Sequence, residues 1–303
     1  MGAAGSRREK TVAVAPVNKP ATAPKHRVID YEEHRGTDKH TVGGTLKVLP
    51  RVFSPQFKNW RDILVYLPPS YATGNRRYPV IYMHDGQNLF DATTSFCGEW
   101  KVDKTLDALS KEGIEAIVVG IPNMGVRRID EYSPFVDRKG AGGSGDAYCR
   151  FIVETVKPCI DTTFRTLPDH EHTAIMGSSM GGLISLFAFF HYGHIFGGAG
   201  VLSPSLWFAG RAIFDYVRMA PFQPGKIYLD IGTEEGRTAF SDARRMAKLL
   251  ERRGYCRGKD LCYVEMQGHG HCEAAWAERL ELPLRYLLGY TGETRGADVT
   301  PSA

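Results

Sequence analysis

The chain has 303 residues, 43% of them hydrophobic and 24% charged, which excludes a mainly disordered protein and allows a large buried core. Lys and Arg total 38 against 34 Asp and Glu, and the resulting +4 gives no reason to expect a nucleic-acid partner. The longest apolar run, residues 183–196, contains His191 and His194 and falls short of the roughly 20 residues that cross a bilayer.

Residues 1 to about 42 are rich in Ala, Pro and Lys, with few large apolar residues and no periodicity. Such a segment cannot bury enough surface to offset its chain entropy, so a disordered tail is expected. Up to residue 40 it holds eight basic and five acidic residues, and so carries +3 of the +4. Its opening Met-Gly-Ala-Ala-Gly-Ser fits the N-myristoylation pattern, although a small-residue disordered start explains it more simply. No apolar segment near the N-terminus suits a secretory signal. The six cysteines form no C-x-x-C pair and read as free thiols of a cytoplasmic protein.

From Gly43 onward, strand and helix signals alternate. Strands are predicted at 45–53, 63–67, 80–84, 116–121, 173–177, 198–202, 227–232 and 261–266. Helices are predicted at 102–109, 147–160, 179–191, 211–219 and 239–253, with a last one from Glu273 interrupted at Pro283. The first two strands read as a hairpin and the rest as β-α-β repeats. The expected fold is α/β: about eight strands in one mostly parallel sheet, helices on both faces, spanning 43–290 as a single domain. Residues 291–303 are expected to fray.

Three loops after strands carry the chemistry. Gly177-Ser178-Ser179-Met180-Gly181 matches G-x-S-x-G between a short buried strand and a helix, the context a nucleophile elbow requires. The tight turn would project the Ser179 hydroxyl and aim the Met180 N–H at a developing oxyanion; the bland alternative is a helix cap. His84-Asp85-Gly86-Gln87 follows the strand at 80–84, and an N–H at Gly86 or Gln87 is expected to complete the oxyanion hole. A serine needs a base and an acid, which in this architecture follow in the order Ser, acid, His. For the acid, Glu235 lies on the loop beyond the strand at 227–232; Asp230 within the strand and Glu234 beside it are the alternatives. For the base, His271 directly precedes the last helix, with His269 as its rival.

Other motifs carry less. Neither His269-Gly270-His271 nor His170-Glu171-His172 has the further ligands that zinc requires, so no metal is expected. Gly140-Ala141-Gly142-Gly143-Ser144-Gly145 fits G-x-G-x-x-G, but no strand precedes it, so it reads as a flexible loop and no cofactor is expected.

Several stretches together resemble the esterase family of α/β-hydrolases that includes enterobactin-esterase-like enzymes, feruloyl and acetylxylan esterases, esterase D and, more distantly, mycolyltransferases. They are Val65-Tyr66-Leu67-Pro68-Pro69-Ser70-Tyr71, Tyr78 to Asn88, Val118-Val119-Gly120-Ile121-Pro122-Asn123 with Arg128 and Glu131-Tyr132, Gly177 to Gly182, and His271 with Glu273 and Trp276. The resemblance spans about residues 43–288. It implies Ser179 as nucleophile, His271 as base and an acid on the 233–235 loop, where Gly232-Thr233-Glu234-Glu235 favours Glu235. It also favours the enterobactin-esterase-like branch over esterase D, whose elbow usually has His before the Ser. The expected activity is hydrolysis of a small-molecule carboxylic ester. An acyltransferase on the same residues, and a non-catalytic binding protein of the same fold, are the alternatives. Asn88, Trp100 and Arg128 are expected to line the substrate pocket, against loop hydrogen bonding, core packing and a surface salt bridge.

Overall fold

In the computed structural model, residues 27–35 and 39–289 are described. They contain nine strands in one sheet: β1 (Ile29–Asp30), β2 (Thr45–Ser54), β3 (Asn59–Leu67), β4 (Val80–His84), β5 (Ile117–Ile121), β6 (Thr173–Ser178), β7 (Gly198–Leu202), β8 (Lys226–Gly232) and β9 (Leu261–Met266). The spatial order is β1-β2-β3-β5-β4-β6-β7-β8-β9. The strands from β1 through β3 to β5 pair antiparallel, and every pairing from β5 to β9 is parallel. This is the expected α/β-hydrolase arrangement with one strand more.

The helices are α1 (Tyr31–Arg35), α2 (Val102–Ser110), α3 (Arg128–Glu131), α4 (Gly145–Phe151), α5 (Lys157–Thr163), α6 (Met180–His191), α7 (Phe208–Met219), α8 (Arg237–Arg252), α9 (Glu273–Arg279) and α10 (Glu281–Leu287). They cover both sheet faces, which is why all five residues of β4, and of β5, are buried. Successive β4 side chains divide between two cores: Val80 and Tyr82 pack with α4 to α8, Ile81 and Met83 with α2, α9 and α10.

Three expectations change. The tail boundary at 42 is too late, because β1 pairs with β2 and α1 buries Tyr31, whose hydroxyl donates to Asp91 at 2.7 Å. That anchor depends on a partner 60 residues away, which local composition does not reveal. The myristoylation motif and residues 291–303 lie outside the described residues. The helix expected at 147–160 forms, but it widens into a π-turn at Ile152–Val156 between α4 and α5. Pro158 has no N–H for the carbonyl four residues earlier, and the wider turn accommodates that loss. Pro283, by contrast, sits within the first turn of α10, where its missing N–H costs no bond. The Gly140 to Gly145 segment is a loop tied by side chains: Asp137 accepts from the N–H groups of Lys139 and Ala141, and Asp130 accepts from that of Gly142.

Because β4, β6, β8 and β9 run parallel, the segments that leave their C-terminal ends share one edge of the sheet. The His84, Ser179, Glu235 and His271 regions are therefore brought together by topology. His170 and His172 precede β6 and lie at the opposite edge.

Candidate active site

Ser179 sits between β6 and α6 with φ 56° and ψ −120°, a conformation non-glycine residues rarely adopt. The surrounding glycines make the turn possible. A Cβ on Gly177 would stand 2.8 Å from the His84 ring, and one on Gly182 would stand 2.9 Å from the Leu202 carbonyl. Ser179 makes no side-chain cap to α6. Its Oγ lies instead 3.0 Å from His271 Nε2.

His271 Nδ1 lies 2.7 Å from Glu235 Oε2, whose side chain is only 1% exposed. Glu235 Oε1 accepts from the Ser203 hydroxyl at 2.5 Å and the Gly232 N–H at 2.8 Å. Burial works to raise the Glu235 carboxyl, but the hydrogen bonds from His271, Ser203 and Gly232 outweigh it and hold the group below its ordinary value. The alternatives occupy other places. Asp230 is fully buried in β8, bonded to the Ser203 N–H and ion-paired with Arg279 at 3.0 Å. Glu234 is exposed. His269 Nδ1 faces the Ala275 carbonyl at 3.3 Å.

After β4, a 3-10 turn at Gly86–Asn88 begins from Asp85, itself at φ 54°. Its first internal bond is Asn88 N–H to Asp85 C=O, so the N–H groups of Gly86 and Gln87 have no partner within the turn. Met180, first in α6, is in the same position. Gly86 is required here because a Cβ would lie 2.6 Å from the Gly120 backbone of β5. The turn is held from behind. Asp85 takes two bonds from Arg128, at 2.7 and 2.8 Å, and one from Asn123 at 2.6 Å. Burial opposes the Asp85 charge, yet Arg128 and Asn123 keep its carboxyl below the usual range. His84 is buried between the Tyr148 and Ser185 hydroxyls, and burial drives its pKa down to about 3.

A cleft of about 840 Å³ opens over Ser179 and His271. Gln87, Asn88, Trp100 and Arg128 line it, whereas Gly86 and Met180 are buried and do not. The three expected pocket residues also have structural partners. Asn88 accepts from the Phe96 N–H, Trp100 packs on Trp276 at 5.6 Å, and Arg128 pairs with Asp85. Phe96 and Val126, both almost fully exposed, form part of the rim.

Sequence reasoning missed the supports. Ser203 is completely used: it donates to Glu235 and accepts from Trp276 Nε1 at 2.9 Å and Arg279 Nη2 at 2.6 Å. Ser205 Oγ stands 3.1 Å from Ser179 Oγ. Arg279, three residues beyond Trp276, is the one support with a readable signal: its helical spacing places it on the same face.

The family model described as "Putative esterase" matches residues 54–285. YbbA, an uncharacterized protein of Bacillus subtilis, is 28% identical over 250 residues, covering 77% of this chain and 95% of its own. Among solved structures, the BES protein from Bacillus cereus matches with a TM-score of 0.65 at 21% identity, over 82% of this chain and 97% of its own. An IroE-like serine hydrolase from Shewanella oneidensis matches with a TM-score of 0.63 at 21% identity, over 78% of each chain.

Proposed function

The chain belongs to this esterase family and is a carboxylic-ester hydrolase; from that premise we propose that Ser179, His271 and Glu235 carry the reaction through an acyl-enzyme. Ser179 Oγ attacks the ester carbonyl while His271 Nε2 takes its proton. Glu235 holds the Nδ1–H tautomer and stabilises the imidazolium as it forms. The N–H groups of Met180 and of the Gly86–Gln87 turn receive the oxyanion, each such donor being worth about 3 kcal/mol in related chemistry. Collapse expels the alcohol, which takes the proton from His271. Water, deprotonated by the same imidazole, then releases the acid. No step calls for a cofactor.

One observation carries this reading: two hydrogen bonds in series, 2.7 and 3.0 Å, join a buried carboxylate through an imidazole to a serine on a strained turn. A general scaffold needs none of these. The cleft volume suits a small-molecule ester, with Asn88, Trp100 and Arg128 along its walls. The test is turnover of p-nitrophenyl butyrate by the wild type and by Ser179→Ala. The variant is expected to lose at least about a thousandfold in kcat; wild-type turnover by the variant would refute the assignment.

A further inference from the structure

The 3.1 Å contact between Ser205 Oγ and Ser179 Oγ admits one direction of donation once the proposed triad is accepted. An ionised Glu235 can only accept, so the 2.7 Å contact puts a proton on His271 Nδ1. The neutral imidazole then offers Nε2 as an acceptor, and Ser179 donates to it at 3.0 Å. Ser179 has a single hydroxyl proton, which that bond uses. The proton between the two serines therefore belongs to Ser205.

We propose that Ser205 is a further catalytic residue, whose hydroxyl donates to Ser179 Oγ and stabilises the negative charge that develops there in both half-reactions. In acylation, the O–H bond of Ser179 breaks toward His271 as the Oγ–C bond forms and the carbonyl pair moves onto the oxyanion. In deacylation, water adds, the Oγ–C bond breaks, and its electron pair returns to Oγ before His271 gives the proton back. Charge passes through Oγ each time, while Ser205 keeps its own proton throughout.

The backbone holds this donor in place. The Ser179 N–H donates to Leu202 C=O at 3.0 Å, and the Ser205 N–H donates to Ser179 C=O at 2.9 Å. These bonds fasten the elbow to the loop after β7. Ser205 is 3% exposed, so little water competes for its hydroxyl. The same tripeptide, Ser203-Pro204-Ser205, touches Glu235 at its other end. One loop thus contacts both ends of the proton chain.

The proposal rests on Ser179 as the nucleophile, and the experiment separates the two. Ser205→Ala and Ser205→Thr are compared with the wild type in p-nitrophenyl butyrate turnover and in the rate of fluorophosphonate labelling. Removing a donor to a developing charge should lower kcat about tenfold or more, with KM unchanged and labelling slowed by a similar factor. Ser205→Thr, which keeps the hydroxyl, should recover most of the loss. Wild-type kinetics in Ser205→Ala, a change confined to KM, or a folded Thr variant no better than Ala would overturn the role. If Ser179→Ala itself labels and turns over normally, the nucleophile assignment falls, and this proposal with it.

Discussion

Two carboxylates near the end of β8 show how position decides role. Asp230 and Glu235 are five residues apart, and both contact the Ser203 to Arg279 cluster. Asp230 lies inside the strand, so its carboxylate is consumed by the fully buried Arg279. Glu235 lies past the strand end, where the chain can turn its carboxylate toward His271. The two should therefore fail differently. Glu235→Gln removes the charge that holds the imidazole, and kcat should fall roughly 10³- to 10⁴-fold, with a smaller loss of stability than Asp230→Ala causes. Asp230→Ala removes the closer counter-charge of a buried guanidinium and should cost about 3 kcal/mol in urea unfolding. Equal effects on activity and stability in both variants would contradict this division. The sequence left the choice among Asp230, Glu234 and Glu235 open, because strand ends are uncertain by a residue or two while side-chain reach is decided in ångströms. Ser203 and Ser205 were not legible at all: their contacts reach the loops after neighbouring strands and helix α9, 26 to 76 residues apart in sequence.

The central strands β4 to β7 were legible because strands buried on both sheet faces appear as bounded apolar runs, as at Val80–His84 and Ile117–Ile121. β1 was not, since two residues give no period and Tyr31 is held by a distant Asp91. At this scale the turn after β4 is the sharpest test. A methyl group on Gly86 would meet backbone atoms of β5 at 2.6 to 2.8 Å, and backbone cannot swing aside as a side chain can. Gly86→Ala should shift the 3-10 turn, lowering both the melting temperature and kcat. Gly74 has nothing within 4 Å of an added Cβ, so Gly74→Ala should leave both nearly unchanged. A Gly86→Ala protein with wild-type stability would show that the turn yields more easily than the contacts imply.

The molecule as a whole places a buried titratable layer just behind its reactive edge, and that layer sets its response to acid. His84 titrates near 3 when folded but near its ordinary value of 6.5 when unfolded. Between those limits the unfolded chain binds the extra proton, so stability must fall as pH drops from about 6.5 toward 3. Asp85 and Glu235, both held below their ordinary values, contribute stability present above the unfolded carboxylate range of about 4, which is lost at lower pH. Urea midpoints should therefore begin to decline near pH 6.5 and steepen below about 4. His84→Gln should flatten the first portion and leave the second. A flat midpoint from pH 7 to 4.5 in the wild type would contradict the buried neutral imidazole. The chemistry at the same edge makes a firmer demand, since everything proposed for the site passes through a covalent ester on one oxygen. The most direct measurement is mass spectrometry of peptides from enzyme mixed with p-nitrophenyl butyrate and quenched in acid within the first turnover. The acyl group is expected on the peptide containing Ser179, and on no peptide of Ser179→Ala. Acylation at another residue, or acylation that persists in Ser179→Ala, would contradict the mechanism.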